Sequence, residues 1–140
     1  MKTLISILVI SIITLTSVKA QDSHTENEVK SILTKIIKLS ESKKDKKLAS
    51  YIIYAGADTT RKRKEACNPK HKDELIEVSK IRKNINILLE ESYEFRKFTS
   101  KIHPSNASKS IYVWEVETKS KTVVFAFRKL KDKYVLVDID

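Results

Sequence analysis

The apolar residues of this chain change their spacing once, near Glu91, and that change constrains the fold more tightly than any other feature. Before it they recur three and four apart, which lines one face of a helix; after it they alternate, which lines one face of a strand. Val29, Ile32, Leu33, Ile36 and Ile37 predict a first helix over Glu26 to Ser40, opened by Thr25 and Glu28 as a capping box. Leu48, Ala49, Ile52 and Ile53 predict a shorter second helix, with Asp45 as its cap and Gly56, the one glycine, as its left-handed end. From Ala57 to Cys67 the charged text predicts a loop or a broken helical turn. Asn68-Pro69 then supplies an N-cap and a first-position proline for a third helix. Leu75, Val78, Ile81, Ile85 and Leu88 carry it to about Glu90, with Asp73 and Glu74 near its positive end.

Beyond that point β-branched and aromatic residues take over. Ser92 to Phe98 predicts a strand, with a continuation of the third helix as the alternative. His103-Pro104 and the polar run to Lys109 interrupt the pattern. SIYVWEVET, TVVFAF and KYVLVDI predict three more strands, joined by turns at Lys119 to Lys121 and Lys131 to Lys133. Strands joined by turns this short must be antiparallel neighbours. Helices first and a meander after them is the order of an α+β fold, here three N-terminal helices on a four-stranded antiparallel sheet.

The first twenty residues have a different character. A positive start at Lys2, fifteen apolar or hydroxylated residues from Leu4 to Val18, and the exit Val18-Lys19-Ala20 form the pattern of a cleavable export signal. The apolar run falls short of the roughly 20 residues that cross a bilayer as a helix. Residues 1–20 are therefore expected to be removed and 21–140 to form a single domain, exported to the periplasm or the outside and not membrane-spanning after cleavage. Loss of Lys2 and Lys19, with no acid, lowers the formal charge from +10 to +8. About 120 residues can bury a core without covalent staples. Cys67 is the only cysteine, so no internal disulfide forms, and it reads as a small buried residue.

The basic excess raises the question of nucleic acid. Lysine outnumbers arginine 23 to 5, whereas bidentate phosphate recognition favours arginine. The lysines are spread along the chain without interleaved aromatics, and the densest cluster is Arg61 to Lys64. A solvated basic surface and no nucleic-acid partner is the expectation. Weak, salt-sensitive binding to an acidic polymer or a lipid head group stays open.

Two stretches resemble a known family. DKKLASYIIYAG, Asp45 to Gly56, is similar to the second-helix segment, and VVFAFRKLKDKYVLVDID, Val123 to Asp140, to the closing hairpin, of small exported bacterial members of the nuclear transport factor two-like superfamily. The resemblance implies a cystatin-like cone, with a pocket between the concave sheet face and the helices, and homodimers are common in the family. It implies no single activity, since that fold carries enzymes, adaptors and binding proteins alike.

On the strands, Tyr112, Trp114 and Val116 share one face and Ile111, Val113 and Glu115 the other; Val123, Phe125 and Phe127 oppose Val124, Ala126 and Arg128. Either set can face the helices, because a one-residue slip exchanges them. Tyr112, Trp114, Phe125, Phe127, Phe95 and Asp138 are thus the pocket candidates. Family enzymes place a carboxylate inside the cone for acid-base work, for which Asp138, Glu115 and Asp58 are the local possibilities. Asp138 is expected outward, because Val135, Val137 and Ile139 already supply an apolar face. His24, His71 and His103 have no partner at catalytic or metal-ligating spacing, and no cofactor motif is present.

The expectation is accordingly a noncatalytic exported domain that binds a small apolar molecule or a protein partner. An isomerase- or dehydratase-like enzyme with a carboxylate in the cone is the first alternative. A basic-surface adaptor or inhibitor of an acidic partner is the second.

Overall fold

The computed structural model describes residues 2–90 and 92–140, with side chains described from Asp22 onward except at 91 and 107. Helix α1 spans Lys2–Glu41, α2 Asp45–Leu48 and α3 Lys72–Leu88. Strands β1 (Tyr93–Lys101), β2 (Ile111–Thr118), β3 (Thr122–Leu130) and β4 (Lys133–Ile139) form one antiparallel sheet in sequence order. The chain is therefore α+β, three helices and then a four-stranded meander. The side chains of the expected leader, residues 1–20, lie outside the described residues. Among the described residues no helix is long and apolar enough to cross a membrane.

Several helix ends differ from the sequence expectation, each for a local reason. Thr25 and Glu28 do not open a helix, because α1 already runs through them. Asp45 does not cap α2 with its side chain; its carboxylate accepts from Arg82 Nε at 2.7 Å and ties α2 to α3. The second helix is only one turn of α-helix and one 3-10 turn, Ala49–Tyr51, after which Ile52 turns extended. Ile52 and Ile53 instead pair as short bridges, with Leu136 and Ala66. Gly56 is not left-handed. A Cβ there would lie 2.5 Å from the Tyr54 hydroxyl, so the close approach of that ring is the reason for glycine. Helix α3 starts three residues later than Pro69, because Asn68 caps a turn: its side-chain oxygen accepts from Lys70 N and its carbonyl from His71 N.

The sheet settles which face meets the helices. Tyr112, Trp114, Val116, Val123, Phe125 and Phe127 are buried, and they share one cluster with Val29, Leu33, Ile36 and Ile37 of α1 and with Val78 and Ile85 of α3. Two bulges adjust the alternation. One, between Phe95 and Lys97, lets Phe95 oppose Val116 and Phe98 oppose Trp114 on the same face despite their odd spacing. Both rings then contact Trp114, with centroids at 5.3 and 5.4 Å. The other bulge falls between Ala126 and Phe127, where Leu136 pairs with Phe127 but Asp138 pairs with Ala126. Side-chain bonds complete the helix layer: Asn86 Nδ2 donates to the Ser40 carbonyl at 3.2 Å, joining α3 to the end of α1.

Candidate functional site

A cleft of about 860 Å³ lies between the segment 53–67 and the first half of α3. Its floor and one wall are apolar, from Ile53, Ala55, Ala57, Cys67 and Ile81, and its rim is charged. Sequence reasoning missed it, because it forms only where the loop folds back on the helix that follows it, and the loop has no apolar period. None of the six aromatic and acidic candidates lines it.

Those six are placed differently. Phe125, Phe127, Trp114 and Tyr112 are interior, between 0% and 8% exposed, and fill the space between sheet and helices. Tyr112 meets Tyr134 edge to face at 5.0 Å, and burial raises the pKa of both phenols. Phe95 is half-buried against Trp114 under Lys30, whose Nζ lies 4.9 Å from its ring centroid. The aromatic group is core, packed ring on ring. Asp138 is exposed on the opposite face, its carboxylate accepting from Ile139 N at 3.0 Å. Simple alternation would have set it beside Leu136 on the inner face; the bulge turns it out and brings Ile139 opposite Phe125 instead.

At the head of the cleft stands Glu74, a buried carboxylate in the first turn of α3. Four donors converge on it. Arg61 gives Nη1 at 2.7 Å to Oε1 and Nη2 at 3.2 Å to Oε2. Asn68 N donates to Oε2 at 2.6 Å, and His71 Nδ1 lies 2.7 Å from Oε1. The Arg61 fork, more than any other contact, holds the Glu74 carboxyl down to about 2, against the opposing pull of burial. An ionised carboxylate only accepts, so His71 must carry its hydrogen on Nδ1. Arg61 also reaches Glu65 from Nε at 2.8 Å, stacks on Tyr54 at 4.4 Å, and has its pKa raised by Glu74 first and Glu65 second.

Two further titratable groups in the cleft, Asp58 and Cys67, are also committed. Asp58, an acid-base possibility in the sequence, is exposed and caps its own turn: Thr60 donates to Oδ1 from N at 2.9 Å and from Oγ1 at 2.6 Å. Those bonds, the hydroxyl first, lower its pKa, so it stays ionised at neutral pH. Cys67 is buried with Sγ 3.6 Å from the Ile53 carbonyl, and burial, helped by the nearby Glu74 charge, pushes its thiol up to about 11. It is a thiol, not a thiolate, at physiological pH, and so a poor nucleophile. Glu74, Arg61 and Asp58 are thus each engaged by neighbouring groups, and what the cleft offers a ligand is shape, an apolar wall and a charged rim. No group of three or more His, Cys, Asp or Glu suited to a metal occurs among the described residues.

Compared with protein-family models, curated proteins and solved structures, the chain matches none of them.

Proposed function

We propose that this is an exported, noncatalytic binding domain, and that the ligand sits in the cleft between segment 53–67 and α3. The observation that carries the reading is the engagement of Glu74: a carboxylate held near 2 by four donors has no proton to give and no affinity for one at neutral pH. General acid-base catalysis needs the reverse, a group tuned toward the working pH. The apolar wall of Ile53, Ala57 and Ile81 suits a small molecule with an apolar body, and the Asp58, His71 and Lys72 rim suits a polar end. The finer fold reading, the cystatin-like cone of the nuclear transport factor two-like superfamily, belongs to the same proposal. Three helices followed by a bulged four-stranded meander support it.

Export rests on the leader pattern of residues 1–20, and N-terminal sequencing of protein from the cell envelope or medium tests it. A mature chain beginning at Gln21 is the expected result; a retained Met1 refutes it. Native mass spectrometry of the mature protein from the exporting cell tests the cleft. The expected spectrum shows a retained small molecule that disappears in Ala57→Trp, which fills the cleft from its exposed lip. A ligand-free wild type, or a bound species indifferent to that substitution, overturns the assignment.

A further inference from the structure

Immediately after Arg61 the chain builds a second hollow, of about 420 Å³, that shares no lining residue with the cleft. Seven of its nine lining residues are cationic and none is acidic. Lys62, Arg63 and Lys64 come from the loop. Arg128, Lys129 and Lys131 come from the end of β3 and its hairpin, and Lys109 from a 3-10 turn before β2. Residues more than forty positions apart are gathered into one space, so the concentration of charge is a product of the fold, not of a local run.

None of the seven takes part in an ion pair among the described residues, a condition they share with most of the chain's lysines; what differs here is that they line one space with no acid. Arg128 Nε is fully buried and has no acceptor among the described residues. Only three described non-glycine residues have positive φ, and two of them, Arg63 at 59° and Lys131 at 56°, line this hollow. Lys131 is the first residue of a two-residue hairpin loop, where positive φ favours glycine; the chain keeps a charge there at the cost of strain. Like charges this close repel one another, and a polyanion among them turns that repulsion into attraction.

We propose that this hollow binds phosphate groups, taking a compact ligand that carries two or more of them. Five ammonium groups act as point charges, and the Arg63 and Arg128 guanidinium groups offer planar forks suited to phosphate oxygens. The phosphates could belong to a soluble polyphosphate or to the head groups of an anionic bilayer, and the chemistry of recognition is the same. The site is independent of the cleft and stands whether or not the cleft holds a ligand.

Calorimetric titration with tripolyphosphate at about 50 mM salt, where screening is modest, tests it. The wild type is expected to bind, and Arg63→Gln with Lys131→Gln to weaken binding about tenfold or more, the loss of one or two charge-assisted contacts. Lys46→Gln with Lys47→Gln, the same charge change on α2, is expected to cost less than about threefold. Absence of binding, or equal weakening by the two pairs, overturns the proposal. Circular dichroism checks folding, and Lys62→Gln with Lys109→Gln, both exposed, poses the same question if the first pair fails to fold. Co-sedimentation with phosphatidylglycerol vesicles separates the sources. Vesicle binding that tripolyphosphate displaces and the hollow variant loses assigns the head group; tripolyphosphate binding with no hollow-dependent vesicle binding assigns a soluble ligand.

Discussion

Arg61 and Arg63 are two residues apart in one basic run, yet they do opposite things. Arg61 is turned inward, with three nitrogens on two carboxylates and its guanidinium over Tyr54. Arg63 is turned outward in a left-handed conformation, among six other cations and no acid. The first arrangement holds the loop 53–67 against α3. The second stores repulsion that only an anion from outside relieves. The difference teaches that a charge cluster in a sequence is not one feature: the fold spends part of it on structure and leaves part of it available for binding.

The largest effect that separates the two regions should come from Glu74. Glu74→Ala leaves the partly buried Arg61 fork without its main partner and is expected to cost about 3 kcal/mol in urea unfolding, while leaving tripolyphosphate affinity within about twofold. Destruction of both would merge the two regions into one.

Acid titration sharpens the same contrast. The folded pKa of Glu74 is depressed, so its contribution to stability is fully present above the unfolded value near 4.5 and is lost as the pH falls toward about 2. Chemical denaturation between pH 6 and 2.5 is expected to show stability falling in that window, with a flatter profile for Glu74→Gln. The next effect belongs to the hollow. Raising salt from about 50 to 500 mM shortens the screening length more than threefold; tripolyphosphate affinity should drop by about tenfold or more while the melting temperature moves little.

The smallest expected effect is the most discriminating. Lys131→Gly removes a left-handed lysine and one charge from the hollow, so stability is expected to rise by up to about 1 kcal/mol while phosphate affinity falls. A loss of stability would show that the lysine is held there for packing.

Much of the fold was legible because its signals are periodic. The spacing of Val29, Leu33, Ile36 and Ile37 and the alternation of Tyr112, Trp114 and Val116 each name their own face, and the short turns after Thr118 and Leu130 leave only the antiparallel neighbour as partner. The failures came where one residue has two possible partners. Ile52 and Ile53 fit a helix stripe, but pairing with Leu136 and Ala66 competes successfully for their backbone. Asp138 was expected outward on grounds of apolar crowding, and it is outward, yet through a bulge that no alternation pattern contains. The sites were harder still. The aromatics nominated for a pocket are ordinary core, the cleft exists only because loop 53–67 folds back on α3, and the cationic hollow joins segments far apart in the chain, which charge and spacing alone do not bring together. The cluster Arg61 to Lys64 and Asp58 were visible beforehand, and nothing in the cluster's text says that its first member faces the other way.

The most direct test of that division is Arg61→Gln beside Arg63→Gln, each measured for thermal stability and for tripolyphosphate binding. Arg61→Gln is expected to lower the melting temperature and keep the affinity, and Arg63→Gln to keep the melting temperature and lose affinity. Equal losses of both properties in the two variants would contradict it.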